Sequence, residues 1–525
     1  MQGVSQAADL LEDALRKQRR LLILGDYDAD GATSCALAMR SLRSFGFRNV
    51  DFLVPDRIKQ GYGLSVSLAE QASQLGAEIL LTVDNGIASI EGVERANQLA
   101  MPVIVTDHHL PASRLPNAAA IVNPNQPGCE FPEKSLAGVG VLLYLLLALR
   151  AQLREVGWFK QNNLPDPDLS IWLDVVALGT VADLVPLGRL NRLLVAHGVR
   201  RVRSGQGVPG IRCLMQVAGR DWRRTLSSDF GFAVGPRINA AGRLEDISLG
   251  IRCLLEDDEG RAMDLARQLD QINRERRARQ DLMQQQAEQL LEQLHELETD
   301  LPHAVCIYRA DWHEGVIGLL ASRIREKTHR PTLVLAQAGN GLVKGSGRSI
   351  AGFHLRDALE LVHSRNPGLI KQFGGHAMAA GLTLEESGLD QLKQAFAQVA
   401  REQLHSDQLK ALVLTDGTLP ADEHNLETAS MLQSIVPWGQ ACPEPVFEAK
   451  ARVEAVRWLK DLHLKIALRL EDQIETLDAI WFFAPDESRP LKTGQRVHLA
   501  YRLSVNQFQG NESVQLVVEA LAPLE

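Results

Sequence analysis

Three short apolar runs near the start of the chain each end on acidic or histidine side chains. Leu21-Leu22-Ile23-Leu24-Gly25 leads into Asp26-Tyr27-Asp28-Ala29-Asp30-Gly31. Ile79-Leu80-Leu81-Thr82-Val83 leads into Asp84-Asn85-Gly86, and Val103-Ile104-Val105-Thr106 into Asp107-His108-His109. Continuous apolar runs closed by turn residues predict buried parallel strands. An open parallel sheet binds ligands just beyond the carboxyl ends of its strands. The pattern therefore predicts one crevice lined with carboxylates and imidazoles. So much negative charge is costly unless cations occupy it.

The 525 residues exceed one ordinary domain and predict three or four. Apolar content of 45% and charged content of 23% are those of a soluble globular protein. Cys35, Cys129, Cys213, Cys253, Cys306 and Cys442 form no close pair. That argues against a disulfide framework or a zinc ribbon and leads us to expect a reducing cytoplasm. Met1-Gln2-Gly3-Val4 carries no basic region before an apolar core, so no signal peptide is expected. Ala137 to Leu149, the most apolar stretch, is glycine-interrupted and too short for a bilayer, and reads as a buried helix. The net charge of −9 does not advertise a nucleic-acid binder, but binding needs only a local basic surface. Arg200-Arg201-Val202-Arg203, Arg220 to Arg224 and Arg274 to Arg279 are such clusters; each taken alone reads as a solvated face.

Up to about residue 200, strand-like runs alternate with amphipathic stretches, the pattern of an α/β domain. Ser65 to Gln74 and Ile90 to Leu99 are its predicted crossover helices, and Ile171 to Cys253 is more helical. Glu256 to Glu298 has no proline and one glycine, Gly260, and predicts a long helix spacing two domains. A second α/β unit begins near His303, with strands at Ala304 to Tyr308 and Thr332 to Leu335 and a helix from Gly315 to Lys327 between them. In the tail, Val453 to Trp458, Leu462 to Leu470, Thr476 to Phe483, Arg496 to Leu503 and Ser513 to Glu519 predict a five-stranded OB-type barrel.

Asp26-x-Asp28-x-Asp30-Gly31 imitates the calcium loop of an EF-hand. That loop needs a Glu at its twelfth position and a helix before its first; here stand Leu37 and an apolar strand. Carboxylates suit magnesium and manganese, and added imidazole tilts a site toward manganese or another transition ion. A carboxylate bridging two ions would make a two-metal hydrolase, and Asp84, a lone acid ending the middle strand, is the candidate bridge. Asp183 adds an acid at the end of an apolar helix, a position that equally suits a cap. Gly235-Pro236-Arg237-Ile238-Asn239-Ala240-Ala241-Gly242-Arg243 joins small residues to arginines that suit phosphate. Gly345-Ser346-Gly347-Arg348-Ser349 and Gly374-Gly375-His376 read as glycine-rich turns offering amides, hydroxyls, a guanidinium and an imidazole. His313-Glu314 is no zincin, because Ile317 stands where the second histidine must be.

Asp28, Asp30, Asp84, Asp107-His108-His109 and Asp183 together resemble the DHH phosphoesterases, and the segments around Arg348 and His376 resemble their associated domain. Gly25 to Gly31, Thr106 to Pro111, Ser135 to Gly140, Gly179 to Pro186, Gly235 to Arg243, Lys344 to Ser349 and Phe373 to Gly381 look like the bacterial single-strand-specific exonuclease branch. The resemblance covers almost the whole chain. It implies a parallel-sheet DHH domain at 1–250, a connecting helix at 251–300, a DHH-associated domain at 301–405 and an OB-type domain at 406–525. It further implies a 5′→3′ exonuclease on single-stranded DNA, in recombination and repair, using two Mn2+ or Mg2+ ions. A cleft between the two α/β domains and a monomer are also implied, with a single-strand-binding protein and a RecQ-type helicase as partners.

By that resemblance Asp28, Asp30, Asp84, His108 and Asp183 are metal ligands, and Asp107 orients a histidine. His109 is a ligand or a phosphate contact. Arg237, Asn239, Arg243, Ser346, Arg348, Ser349, Gly374, Gly375 and His376 grip the strand, with local capping the alternative for Asn239 and Ser349. Many relatives carry a histidine four residues before the first metal-binding aspartate; Leu24 stands there, so Asp26 or water is expected to complete that site. Relatives usually have more than the twenty residues found before the first strand, which leads us to expect a trimmed or later-starting N-terminus. Two rivals remain open: a phosphodiesterase of small substrates, which would not need the barrel, and an inactive DNA-binding scaffold, which would not need the full acid set.

Overall fold

The computed structural model describes all residues except 56–61, 113, 298–301, 461, 472, 485–487, 489–490, 509 and 525; for 288–297 and 508 it describes backbone alone. They form two units, Met1–Asp270 with Val413–Glu525, and Gln271–Leu412. The first opens with β1 (Leu21–Leu24), β2 (Val50–Leu53), β3 (Ile79–Val83), β4 (Val103–Thr106) and β5 (Ala120–Val122). Their order is β2-β1-β3-β4-β5 and every pairing is parallel. β1, β3 and β4 are buried along their whole length, as their unbroken apolar sequences require. Because the three are neighbours and parallel, their carboxyl ends fall side by side.

The crossover helices run Val66–Gln74 and Ile90–Gln98, the former capped by Ser65, whose hydroxyl accepts from the Leu68 amide at 3.3 Å. The apolar stretch after Ala137 is the helix Gly138–Glu155, with Leu142, Leu145, Leu146 and Leu149 fully buried. Among the described residues no helix is long and apolar enough to cross a membrane. Glu259–Leu297 is the long helix. It starts three residues after Glu256 because the Glu256 carboxylate folds back on the Asp257 and Asp258 amides while Asp258 accepts from the Arg261 amide at 2.8 Å. The predicted last residue, Glu298, lies outside the described residues.

In the second unit, β6 (Val305–Arg309), β7 (Thr332–Gly339), β8 (Leu342–Arg348), β9 (Ile370–Gly375) and β10 (Ala379–Glu385) form a sheet in the order β6-β7-β8-β10-β9. Only β6 and β7 pair in parallel. The two glycine-rich segments read as turns are strands: Gly345 to Arg348 in β8, Gly374 and Gly375 in β9. Packing explains the glycine. A Cβ on Gly347 would lie 2.7 Å from both Leu333 Cδ2 and Leu355 Cδ2, so the apolar partners fill the space a side chain would need.

The tail is a closed barrel of β11 (Phe447–Leu459), β12 (His463–Leu470), β13 (Leu477–Trp481), β14 (Arg496–Phe508) and β15 (Asn511–Pro523), in the order β11-β12-β13-β15-β14. Leu464, Ile466, Leu468 and Leu470 alternate inward along β12, the period that encloses a small barrel core. The barrel joins the first unit through Leu187, whose amide donates to the Gln440 carbonyl at 2.7 Å, and through an Arg224–Glu512 ion pair. Gly347→Ala should destabilise the second unit by about 1–3 kcal/mol through overpacking. Denaturant titration tests this, and an unchanged midpoint would contradict the packing argument.

Candidate metal centre

Each acid reaches the crevice by an identifiable local device. Asp28 ends the β1 loop and caps the helix Ala29–Phe45, its Oδ1 accepting from the amides of Asp30 (2.9 Å) and Gly31 (3.0 Å). Asp30 sits in the first turn of that helix and accepts from Gly138 (2.7 Å) and Val139 (3.0 Å), the opening amides of the helix Gly138–Glu155. A helix N-terminus favours negative charge, so the contact partly compensates the burial of Asp30. Asp84 follows β3 with left-handed backbone, φ 62°. Asp183 is the residue just past the helix Leu173–Ala182. His108 Nε2 lies 3.2 Å from Asp84 Oδ1 and 3.4 Å from Asp183 Oδ2.

Asp107 is fully buried and serves the loop rather than the crevice. It accepts from the amides of Ile87, His108 and His109, and its Oδ1 is 2.7 Å from His109 Nδ1. A proton on Nδ1 leaves Nε2 as the free lone pair of His109. Three donor groups result, each with its atoms within 4.8 Å: Asp84–His108–His109, Asp30–His108–Asp183 and Asp26–Asp28–Asp84. Asp84 and His108 each belong to two of them. Leu24 is buried in β1, 2% exposed, and brings no donor from its side chain; Asp26 is in a donor group.

Two glycines make the crowding possible, and the sequence reading passed over both. A Cβ on Gly138 would stand 2.4 Å from Asp84 Oδ1, and one on Gly179 would stand 2.7 Å from Asp30 Oδ1. Both are helix residues that must approach a carboxylate more closely than any other residue allows. Tyr62 was also passed over. Its hydroxyl lies 3.0 Å from His109 Nδ1 and donates to the Asp84 carbonyl at 3.2 Å. Its one sequence signal was an aromatic between Gly61 and Gly63.

The electrostatics follow from burial. Burial, then the charge of Asp28, pushes the Asp30 carboxyl up to about 7, against the pull of the Val139 and Gly138 amides. Burial likewise raises Asp84 and Asp183 well above the carboxylate range, with Asp30 and Asp28 adding to both. Burial works to lower the His109 imidazolium, but the hydrogen bond and charge of Asp107 outweigh it and lift it to about 9. The donor groups are made of Asp and His side chains, His109 among them. The set fits divalent ions: hard oxygens in excess, with two imidazoles.

The residues expected to grip the strand divide in two. Arg237 is 6% exposed, paired with Asp270 at 2.7 Å and donating to the Ala233 carbonyl at 2.6 Å. Its guanidinium is committed inside the fold and does not face solvent. Asn239 accepts from the Ala29 amide at 2.8 Å, beside Asp28, and so braces the metal loop. Ser349 is fully buried and donates to the Phe353 carbonyl at 2.6 Å. For Asn239 and Ser349 the capping alternative describes the observed bonds. Arg243 is half-buried on the helix Gly235–Leu244. Ser346 and Arg348 lie together on β8, the guanidinium donating to the Ser346 hydroxyl at 3.2 Å, while Gly374, Gly375 and His376 are exposed at the end of β9. Of two tail aromatics that read in sequence as base-stacking candidates with core packing the alternative, Trp458 packs on the barrel core, and the Phe508 side chain lies outside the described residues.

Comparison with known proteins accords with this geometry. Residues 20–180 match the DHH family, N-terminal domain; 302–402 match the DHHA1 domain and 415–520 the RecJ OB domain. The single-stranded-DNA-specific exonuclease RecJ of Dickeya dadantii is 50% identical over 99% of this chain and 91% of its own length. The chain belongs to the RecJ family. The Escherichia coli RecJ is 47% identical over 100% of this chain and 91% of its own length. The crystal structure of Thermus thermophilus RecJ in complex with Mn2+ superposes with a TM-score of 0.79 at 29% identity, covering 100% of this chain and 72% of that one. A crystal structure of exonuclease RecJ bound to manganese gives 0.63 at 32% identity, over 79% of this chain and 97% of that one. The RecJ fold accounts for the sheet, the DHH-associated unit and the barrel together.

Gly138→Ala should behave opposite to the ordinary helix exchange, which gains up to ~1 kcal/mol. Its methyl group would displace Asp84, so thermal stability should fall; a rise in melting temperature would contradict the close approach. In the metal-free protein, protonated Asp30 adds stability that is complete below its unfolded pKa and lost as pH rises through about 7. The melting temperature should therefore fall between about pH 4 and 7, and Asp28→Asn should flatten that fall by removing the charge that helps raise Asp30. A parent curve that rises over this range would contradict the crowding.

Proposed function

We propose that this chain is a metal-dependent exonuclease that removes nucleotides from single-stranded DNA in the 5′→3′ direction. The observation carrying the reading is the overlap of three Asp/His donor groups at Asp84 and His108. It is supported by relatives named as single-stranded-DNA-specific exonucleases and by neighbours holding Mn2+ or Mg2+. In this reading Asp26, Asp28, Asp30, Asp84, His108, His109 and Asp183 would hold two Mn2+ or Mg2+ ions, Asp84 being common to two of the donor groups. Such ions lower the pKa of a bound water and stabilise the attacking and leaving oxygens of an in-line displacement.

The chain's own residues then have separable tasks. Asp107 fixes the ring of His109 through Nδ1 and leaves Nε2 for the crevice. Asn239 and the helix start at Gly138 hold Asp28 and Asp30 in register. Arg348, Ser346, His376 and the exposed glycines of β9 engage phosphates, with Arg243 contributing a further positive charge. Residues 1–250 carry the chemistry, 251–300 connect, and 301–405 and 406–525 hold the strand. The protein acts as a cytoplasmic monomer, with a single-strand-binding protein and a RecQ-type helicase as its partners.

The direct experiment digests a 5′-labelled and a 3′-labelled single strand with Mn2+, beside a blunt duplex and a dinucleotide. The reading predicts early release of 5′ label and little duplex cleavage. Preference for the dinucleotide would favour the small-substrate phosphodiesterase, and no nucleotide release would favour the inactive scaffold. Asp84→Ala should lower turnover by more than about a hundredfold; activity within about tenfold of the parent would contradict the shared ligand. Binding of a strand to that variant should weaken steeply with salt as phosphates are neutralised. Affinity indifferent to salt would contradict an electrostatic grip.

A further inference from the structure

Phe232 is the most exposed phenylalanine among the described residues at 76%, yet its neighbours in the chain are packed inside. It sits in a π-helical turn, Phe230–Val234, whose other apolar members, Phe230, Ala233 and Val234, are buried. Arg237 binds the Ala233 carbonyl from inside while pairing with Asp270. The turn lies against the last turn of the helix that ends at Asp183. A Cβ on Gly231 would meet Val181 Cγ1 at 3.4 Å, and one on Gly235 would meet Ala182 Cβ at 3.0 Å. Leu184, next to Asp183, is 70% exposed with left-handed backbone, φ 59°. Two large apolar side chains are thus presented to solvent, one next in sequence to a carboxylate of the donor groups and one on the turn packed against the helix end before it. Isolated π-turns inside helices gather at functional sites, and burial gives no reason for this phenyl.

The approach to the turn is basic. Two arginine clusters far apart in sequence meet here: Arg203 donates to the Thr225 carbonyl at 2.7 Å, and Arg223 stacks on Trp222 at 4.3 Å. Arg220 and Arg223 are 59% and 66% exposed on the segment leading into the turn, each also paired with an acid, Asp229 at 3.5 Å and Asp221 at 3.4 Å. An exposed ring on a turn that follows an arginine-rich segment and packs near an acid of the donor groups matches the alternating chemistry of a single strand, a base beside each phosphate.

We propose that Phe232 stacks an unpaired nucleobase of the strand whose phosphate lies at the metal centre. The proposal rests on the exonuclease reading above and adds a residue to it. Stacking accepts any base but needs one free of its complement, so Phe232 favours single strands without reading sequence.

The test compares the parent, Phe232→Ala and Phe232→Trp on a strand of ordinary bases and on strands with one abasic position moved stepwise from the 5′ end. Loss of one stacked base should lower kcat/KM of Phe232→Ala by roughly 5- to 150-fold on the ordinary strand. With the abasic position at the stacked site, parent and Phe232→Ala should be equal, and Phe232→Trp should restore the ordinary strand. In the metal-free parent, 2-aminopurine at that position should be quenched, and in Phe232→Ala it should not. Melting temperatures control for folding. Equal kcat/KM of parent and Phe232→Ala on the ordinary strand, or a loss that persists at every abasic position, overturns the stacking role. A parent inert toward single strands overturns the exonuclease reading itself.

Discussion

The structure depends on keeping several carboxylates out of water at the ends of β1, β3 and β4. Asp30, Asp84 and Asp107 are each no more than 1% exposed, and Asp26 is 4% exposed. Asp107 is provided for by the protein, through three amides and the His109 ring. Asp30 has two amides, and Asp84 Oδ1 has no hydrogen-bond partner among the described residues. Buried charge without compensation costs several kcal/mol per ion or forces protonation. The raised carboxyl pKa values express that cost, and divalent cations would relieve it.

Much of the surrounding fold exists to bring backbone close to those acids. The helix Gly138–Glu155 points its first amides at Asp30 and presses Gly138 against Asp84. The helix Leu173–Ala182 passes Gly179 against Asp30 before ending at Asp183. Gly242 stands so near the Tyr27 carbonyl that a Cβ there would lie 1.9 Å away, and three residues earlier Asn239 binds Ala29. Much of what reads in sequence as small-residue punctuation is therefore close packing around the metal loop.

The parallel sheet, the long helix and the barrel were legible because each has a strong periodic or compositional signal. β1, β3 and β4 are uninterrupted apolar runs, and β12 alternates residue by residue. The gathering of the acids was legible because three strand ends carry the same unusual chemistry. Illegible were β8 and β9, whose glycines look like turns; at Gly347 of β8, Leu333 and Leu355 fill the place a side chain would need. Arg237 and Ser349 were misleading for a related reason. A polar side chain in a glycine-rich motif suits either a ligand or a backbone carbonyl, and only tertiary contacts decide. Tyr62 and Phe232 had no pattern at all, since a lone aromatic carries no period.

The most direct measurement is the number of protons released when Mn2+ binds, obtained by calorimetry in buffers of different ionisation enthalpy. Metal must displace protons held by the crowded carboxyls and by His109, so about one proton or more per chain should be released near pH 7. The number should shrink as pH rises and the carboxyls ionise on their own. Mn2+ binding with no proton release at pH 7 would contradict the claim that these acids are crowded, protonated and waiting on a cation.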